Sequence, residues 1–352
     1  MTAAGNNPQP SFQHRVIIVA VVVALMIIAW YAIDVLLLIF GGLLLAVLLD
    51  GLRSLVARVT GLGPGLALAA VLLVLATLVG LCFWFMAAEI AGQFDALSQQ
   101  LTVAYEDLRK NLSQYEWGRQ LFNGNSEEGQ TQFNFFAHAR TVLSTGLGAV
   151  TNLVIILVLG IYLAASPEVY RVGLLHMLPK RRRPRAGEVL DAIGVTLRWW
   201  LIGRIITMTI VGVATTVGLM IMGIPMALAL GLLAFVLSFV PYIGPILAVI
   251  PAFAVALTQS PMDGLYVAGL YLGVQVIESY FIAPFISQRA TDVPPALILA
   301  AQTVIGVLLG TLGVLFATPL LVATVVATKM LYVQDVLGDD IEVKGDHEPA
   351  GA

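Results

Sequence analysis

Long apolar runs separated by short polar breaks cover most of the chain. Two of them, Pro225–Leu257 and Pro294–Val326, are longer than one membrane crossing needs, and glycine and proline interrupt both. Because about 20 apolar residues cross the hydrocarbon core as a helix, the pattern predicts an all-α polytopic membrane protein with about eight hydrophobic segments. The other runs are Val16–Ile33, Val35–Leu49, Leu66–Ala88, Leu147–Ala165, Leu197–Met222 and Gly264–Ser287.

The composition agrees with lipid as the solvent of this chain. Hydrophobic residues make up 59% of the 352 positions and charged residues 11%, with a mean hydropathy of +0.94. Soluble domains carry about 25% charged residues. The single cysteine, Cys82, has no partner for an intrachain disulfide.

The distribution of lysine and arginine predicts the orientation in the membrane. We expect Arg15, a loop with Arg53 and Arg58, and the dense basic run Lys180–Arg185 in the cytoplasm, because positively charged loops stay inside. This places Glu89–Gly146 outside and both termini inside. We interpret the basic run as a topology determinant beside anionic lipid, and we expect no nucleic acid to bind it.

The same pattern divides the chain into five parts. In the outer part, apolar residues recur at alternating steps of four and three, which predicts an amphipathic helix. The carboxyl-terminal part is short and acidic, and we expect it to be disordered. The parts are the N-terminal membrane helices (1–88), the extracytoplasmic helical segment (89–146), a membrane helix with the basic cytoplasmic loop (147–196), the transport core (197–328) and the acidic cytoplasmic tail (329–352).

The run Pro225–Leu257 is too long for one straight crossing helix. As a single helix it would measure roughly 50 Å, and its middle reads V-P-Y-I-G-P from Val240 to Pro245. Two prolines with a glycine between them cannot continue a helix. We therefore predict a re-entrant hairpin, with the broken backbone covered by protein or lining a water-filled cavity.

The two long runs also match each other at an offset of 69 residues. Pro225 corresponds to Pro294, and Gly244 corresponds to Gly313. If Pro225–Leu257 is a hairpin that opens outward, Gly264–Ser287 runs inward and Arg289 falls on the cytoplasmic side, as the positive-inside rule prefers. Inverted repeats with broken helices are a common plan of secondary transporters. Two tilted and kinked helices are the alternative.

Glu278 is the most informative single residue. It lies near the centre of an apolar run, where a carboxyl group costs a few kcal/mol, so we expect it on a substrate or proton pathway. Desolvation favours the protonated carboxyl group, which suits a proton carrier or a cation ligand. Gln275, one turn away on the same helical face, is a second candidate. A structural contact between helices is the alternative for Glu278.

Arg204 is the other charge within a hydrophobic run. It lies about one turn inside Trp199 and Trp200, which are typical of an interfacial belt. Snorkelling of Arg204 to the headgroups is one interpretation. The other is a counter-charge for Glu278 or for an anionic solute.

The two glycine- and proline-rich breaks supply further candidate ligands. Proline removes an amide donor and leaves carbonyl groups without helical partners, and such carbonyls bind cations or polar solutes in transporters. A simple kink or close packing of small residues is the alternative. The candidates are Pro241, Tyr242, Gly244 and Pro245 in the first break, and Gln302, Gly310, Gly313 and Pro319 in the second.

Motifs in the carboxyl-terminal half resemble one known family. They are F-V-P-Y-I-G-P-I-L at Phe239–Leu247, Q-V-I-E-S-Y-F-I-A-P at Gln275–Pro284, P-P-A-L at Pro294–Leu297 and G-T-L-G-V-L-F-A-T-P-L at Gly310–Leu320. In order and spacing they are similar to those of the autoinducer-2 exporter family of inner-membrane proteins. The resemblance implies transport of autoinducer-2, or sodium- or lithium-proton antiport as in some members, and it implies homo-oligomers.

We therefore expect a secondary transporter that exports a small polar solute such as autoinducer-2, coupled to protons or sodium. A Na+(Li+)/H+ antiporter is the alternative within this class, and a passive channel, an intramembrane enzyme or a membrane scaffold are the alternatives outside it. The sequence has no G-x-S-x-G or H-E-x-x-H motif, and no histidine lies deep in an apolar run. We expect no enzyme activity, no metal and no cofactor.

Overall fold

The fold is entirely helical where the structure describes it. A computed structural model describes residues 12–77, 80, 81, 84, 110, 146–282 and 293–341, with side chains from residue 32 onward except those of 146–149. These residues are 90% helical and contain no strand. The predicted outer segment 89–146, with its amphipathic helix, lies almost entirely outside the described residues, as does the tail beyond residue 341.

Nine helices are described within these residues. They are α1 (Phe12–Thr60), α2 (Pro64–Thr77), α3 (Gly146–Ala165), α4 (Pro167–His176), α5 (Arg183–Ile221), α6 (Ala227–Leu237), α7 (Ile243–Gln259), α8 (Pro261–Ile277) and α9 (Pro295–Thr328). A 3-10 turn, Lys180–Arg182, precedes α5. Wider π-type turns extend α8 through Glu278–Ile282 and α9 through Lys329–Leu337.

Four of the described helices are long and apolar enough to cross a membrane. They are Ala32–Thr60, Lys180–Ile221, Pro261–Ile282 and Pro295–Leu337, and α3 with α4 makes a fifth if that pair, bent by 86°, is one span. The chain is thus a multi-pass membrane protein of fewer straight spans than the eight segments predicted. The difference arises because Val16–Ile33 and Val35–Leu49 form one helix, α1, whereas Pro225–Leu257 forms two short ones, α6 and α7.

Helix α1 is one continuous helix where the sequence predicted two spans. Asp34 separates the two apolar runs, but a single charged residue does not break a helix, unlike proline. Arg53 and Arg58, which we expected in a loop, lie in the last turns of α1, and the chain leaves the helix at Gly61 with φ +69°. Arg53 donates to the carboxylate of Asp50.

Helix α5 begins well before the predicted start of the transport core. It runs without interruption from Arg183 to Ile221, so the predicted boundary between residues 196 and 197 falls inside a helix. Positively charged residues at the start of a helix are tolerated when they reach solvent or acidic partners. Arg171 of α4 binds Asp191 of α5 through two hydrogen bonds of 3.0 and 2.6 Å.

Helices α6 and α7 fold back on each other and form hairpin 1, with its tip at residues 238–242. Ala227 and Leu230 at the start of α6 pack in one buried cluster with Ala252 and Val255 in the second half of α7. This contact requires the two arms to run antiparallel. The break predicted at V-P-Y-I-G-P is therefore a turn between two short helices, and a simple kink is excluded.

Helix α9 also folds back on itself, at Gly310, and forms hairpin 2. Gly310 has φ 63° and ψ −151°, a conformation open essentially to glycine alone. The Nε2 atom of Gln302 lies 3.3 Å from Oγ1 of Thr318, sixteen residues away. In a straight helix these residues would be about 24 Å apart. The arms, residues 295–309 and 311–328, are thus antiparallel, and the non-helical Gly310 separates them.

The bases of the two hairpins lie at opposite ends of α5. Ala227 and Val255 at the base of hairpin 1 share a buried cluster with Leu219, near the end of α5. Val326 at the base of hairpin 2 packs instead with Val189 and Ala192, near the start of α5. Since these contact points are about 40 Å apart along the helix, the two hairpins point towards each other.

The start of the predicted acidic tail is ordered. Asp335, which we expected in a disordered segment, lies in the helical extension Lys329–Leu337 and accepts hydrogen bonds of 3.0 and 3.1 Å from Nε of Arg185. Arg185 also donates to the main-chain carbonyl of Met330 over 3.2 Å. The tail is held because its acidic residue meets a basic residue at the start of α5.

Candidate functional site

Arg204 is the centre of a buried polar site in the middle of α5. Only 9% of the residue is exposed. Its Nε atom donates to the main-chain carbonyl of Phe239 over 3.0 Å, and Nη2 donates to that of Ser238. Its Nη1 atom lies 3.5 Å from Oε1 of Glu278. The counter-charge interpretation of Arg204 is therefore the one that the geometry supports, and Arg204 does not snorkel to the headgroups.

Broken secondary structure explains why Arg204 is bound there. The tip of hairpin 1 interrupts the helical hydrogen bonding, so the carbonyl groups of Ser238 and Phe239 point away from a helix and are free to accept. A guanidinium group has five donors in a fixed fork and can serve both carbonyls and a carboxylate at once. Trp200, one turn before Arg204, packs edge-on against Phe239 with ring centroids 5.9 Å apart. This contact fixes the tip beside α5.

Glu278 lies where α8 changes to the π-type turn Glu278–Ile282. Single π-type turns inside α-helices occur frequently at functional sites. The side chain of Glu278 is 12% exposed, and its long contact with Arg204 is made by Oε1. Its second oxygen, Oε2, is buried and has no hydrogen-bond partner among the described residues.

In this pair the hydrogen-bonding groups of Arg204 have good partners, but those of Glu278 do not. Arg204 has two carbonyl acceptors besides Glu278, whereas Glu278 has a single contact at the limit of hydrogen-bond distance. Leaving a buried acceptor unpaired costs about 1–3 kcal/mol. A proton, a cation or a donor group of a solute would remove that cost. The carboxylate of Glu278 is thus the part of the site that is available to bind a proton, a cation or a solute.

The tip of hairpin 1 is strained at Tyr242. This residue has φ 63° and ψ −54°, which is unfavourable for a residue with a side chain, and it is 37% exposed. Backbone strain of this kind clusters at ligand clamps and switch regions. Just before it, the carbonyl group of Pro241 accepts a hydrogen bond of 3.0 Å from Nε2 of Gln302 in hairpin 2. The tip of one hairpin therefore touches the arm of the other.

Gly244 and Gly313, which align in the predicted repeat, have the same packing role. A Cβ atom on Gly244 would collide with the carbonyl oxygen of Leu237, across the tip of hairpin 1. A Cβ atom on Gly313 would lie 2.6 Å from the carbonyl oxygen of Ile305, across the turn of hairpin 2. Both glycines allow the two arms to approach immediately after the turn. The offset of 69 residues thus has a structural counterpart.

The structure brings together most of the predicted site residues. Gln302 is fully buried, and Pro319 follows its partner Thr318 in the opposite arm. The side-chain oxygen of Gln302 has no partner among the described residues. Pro245 lies in the first turn of α7. Gln275 lies one turn before Glu278 on α8, and its described hydrogen bond, of 3.4 Å, is to Ser279.

Sequence reasoning missed the main-chain acceptors. Ser238 and Phe239 contribute carbonyl groups, which carry no signature in the amino-acid letters. Ser238 could have been noticed, because it is the one polar residue between α6 and the V-P-Y-I-G-P motif. Its buried hydroxyl group has no partner among the described residues. Within the same residues, no group of three or more His, Cys, Asp or Glu side chains could hold a metal ion.

Comparison with known protein families identifies the family to which this chain belongs. The profile of the AI-2E family transporters matches residues 18–332. This chain belongs to the AI-2E transporter family. The resemblance found in the carboxyl-terminal motifs is thereby confirmed, and transport is the general function of the family.

Relatives come from distant bacteria. YueF of Bacillus subtilis is 25% identical over 244 residues, which cover 66% of each chain. YrrI of the same organism is 28% identical over 158 residues, 45% of each chain. The relative MT0215 of Mycobacterium tuberculosis is 33% identical over 131 residues, 37% of this chain and 36% of its own. Each is provisionally named a transport protein, without a substrate. The matched region spans just under two thirds of the first relative and less than half of the others.

Proposed function

We propose that this protein is a secondary transporter of the inner membrane that exports a small polar solute such as autoinducer-2, coupled to protons or sodium ions. Arg204 and Glu278 form the centre of the transport path. The observation that carries this proposal is the half-satisfied carboxylate of Glu278, which is buried beside Arg204. A structural ion pair would be expected to have both oxygens bonded, because unpaired buried acceptors are costly.

Both hairpins enter the membrane from opposite faces and do not cross it. Their bases pack at opposite ends of α5, and the Gln302–Pro241 contact joins them near its middle. In this orientation the basic run Lys180–Arg185 and the carboxyl-terminal end are cytoplasmic, as the charge of the run favours, whereas α1, being one continuous helix, crosses once and begins on the outer side. Inverted broken helices that meet at a central site support alternating access. The protein works as a homo-oligomer.

Protonation of Glu278 would change the charge of the site from neutral to positive. The guanidinium group of Arg204 would keep its contacts with Ser238 and Phe239 but lose its only carboxylate among the described residues. Charge at this depth is costly, so the protonated site favours a state that is open to water or to an anionic group. In this way protonation of Glu278 affects the tip of hairpin 1 through Arg204, while the proton itself stays on the carboxyl group.

A Na+(Li+)/H+ antiporter is the second candidate. Glu278 and Gln302 each present a buried side-chain oxygen without a described partner, and hard cations bind oxygen ligands. A passive channel would also use broken helices, but a gradient of a second ion would not drive its solute flux. An intramembrane enzyme has no described catalytic group in this site.

The test is a flux assay in proteoliposomes with and without imposed proton and sodium gradients. We expect saturable, gradient-driven flux in the wild type and its loss in Glu278→Gln, which keeps size and hydrogen bonding but cannot ionise. The matched control is Glu188→Gln, since Glu188 is an exposed glutamate paired with Arg185 and should be dispensable. Wild-type flux and pH dependence in Glu278→Gln would make Glu278 a structural contact and refute the coupling.

A further inference from the structure

We propose that α4 and the turn Lys180–Arg182 form a surface that binds anionic phospholipid headgroups and holds the start of α5 at the membrane interface. The proposal concerns a part of the molecule distant from the transport site. It requires that the protein lies in a membrane, but it does not depend on the solute or on the coupling ion.

The direction of α4 is the first argument. The chain bends by 86° between α3 and α4. If α3 spans the membrane, α4 lies close to the membrane plane. The helix is only ten residues long and has no buried residue. A short helix in this orientation at the end of a span is placed in the headgroup region.

The outward face of α4 is apolar. Arg171 and Leu175 face α5, where they contact Asp191 and Gly187. The exposed side chains on the remaining faces include Val169 (68%), Tyr170 (46%) and Leu174 (51%), and Met177, just after the helix, is 82% exposed. An apolar face that the described protein leaves uncovered suits the boundary between headgroups and acyl chains, where tyrosine is enriched.

Charge identifies the occupant as an anionic lipid surface. Lys180, Arg181 and Arg182 begin four residues after the end of α4, are exposed, and have no ion-pair partner among the described residues. Nearby arginines differ, since Arg171 and Arg185 are bound to Asp191 and Asp335. Three free cations beside an interfacial apolar face are complementary to phosphatidylglycerol or another anionic headgroup. Basic residues near such a surface contribute about 1 kcal/mol each.

The corner between α4 and α5 is rigid, so a bound lipid would fix α5. Arg183 donates to the carbonyl groups of Leu178 and His176 over 3.1 and 3.2 Å, which closes the end of α4 onto the start of α5. The bidentate Arg171–Asp191 contact joins the two helices a second time. Lipid at this corner would thus set the height and tilt of α5 in the membrane.

Native mass spectrometry of the full-length protein, titrated with phosphatidylglycerol or phosphatidylcholine, tests the binding. We expect more bound phosphatidylglycerol in the wild type, and a loss of about fivefold in affinity for each charge neutralised in K180Q/R181Q/R182Q. Arg58→Gln, which removes an exposed arginine at the end of α1, is the control and should bind as the wild type does. Equal binding by the triple variant and the wild type would overturn the proposal.

A spin label tests the position of α4 independently. In a Cys82→Ala background, a label at Val169 should be accessible to oxygen in bilayers, whereas a label at Lys180 should be accessible to a water-soluble relaxant. Water exposure at Val169 would overturn the interfacial placement. The competing occupant of the basic turn is the acidic tail of the chain. In that case neutralising Glu342, Asp346 and Glu348 should increase phosphatidylglycerol binding at least severalfold. If the variant gained binding and the wild type bound no phosphatidylglycerol, the proposal would also be overturned.

Discussion

The side-chain amide of Gln302 in hairpin 2 donates a hydrogen bond of 3.0 Å to the carbonyl group of Pro241 at the tip of hairpin 1. The same nitrogen lies 3.3 Å from Oγ1 of Thr318, in the second arm of hairpin 2. One buried amide thus connects three helical segments. Pro245, four residues later, has no N–H group to donate to this carbonyl, which accepts instead from the main-chain N–H of Ile243 over 2.7 Å and from Gln302 of the other hairpin.

Replacement of Gln302 by leucine should separate the two hairpins. The change keeps the volume but removes the two hydrogen bonds that the buried amide makes to Pro241 and Thr318, each worth about 0.5–1.5 kcal/mol. We expect a lower thermal denaturation temperature in detergent. Thr303→Val is the control, because Thr303 is exposed and bonds only within its own helix. Equal stability of Gln302→Leu and Thr303→Val would show that the contact is dispensable.

Replacement of Arg204 by methionine should be more harmful than Glu278→Gln. Methionine leaves the carboxylate of Glu278 buried without its cation, and breaking a buried pair in this way costs about 3–5 kcal/mol. The double variant Arg204→Met/Glu278→Gln should recover part of that loss, since no isolated charge remains. Thermal denaturation of the three variants measures the coupling. Additive losses in the double variant would mean that the two residues do not interact.

Gly244→Ala and Gly313→Ala should each destabilise the hairpin that contains the residue. The added methyl group meets main-chain atoms of the opposite arm in both cases, and overpacking of this kind costs about 1–3 kcal/mol. Gly273→Ala in α8 is the matched control, because no atom lies within 4 Å of its added Cβ. Denaturation midpoints that do not separate Gly273→Ala from the other two would contradict the close approach of the arms.

Labelling of single cysteines should establish the orientation. In a Cys82→Ala background, cysteines at Ser126 and Lys180 should react with impermeant reagents from opposite sides of the membrane. Cysteines at Pro225 and Pro294, at the starts of the two long runs, should likewise react from opposite sides if the hairpins are inverted. Reaction of Pro225→Cys and Pro294→Cys from the same side would refute the inverted arrangement.

The sequence predicted the polar residues of the site better than the helix boundaries. Glu278 and Arg204 were recognisable because charge is rare in an apolar run, and their contact follows from the cost of burying either one alone. The long helix α1 was missed because hydropathy divides at Asp34, although the backbone does not. The orientation of α4 and the contacts of Asp335 were not predictable, since both depend on where distant segments pack.

The glycine and proline breaks illustrate the same limit. The sequence showed their positions and the match of Gly244 with Gly313, and the structure adds that both glycines allow close approach of the arms. The sequence could not show that the main-chain carbonyls of Ser238 and Phe239 bind Arg204. Any residue type supplies the same carbonyl group, so only the path of the backbone decides which of them become ligands.

The continuity of α5 has a mechanical consequence. It is an unbroken helix of 39 residues that carries the base of one hairpin at each end and Arg204 near its middle. Such a helix is about 58 Å long, so a tilt of about 5° around Arg204 displaces each end by about 2.5 Å. The two ends move in opposite directions. A tilt of a single rigid rod therefore shifts the bases of the two hairpins sideways in opposite directions, without any change in its own hydrogen bonds.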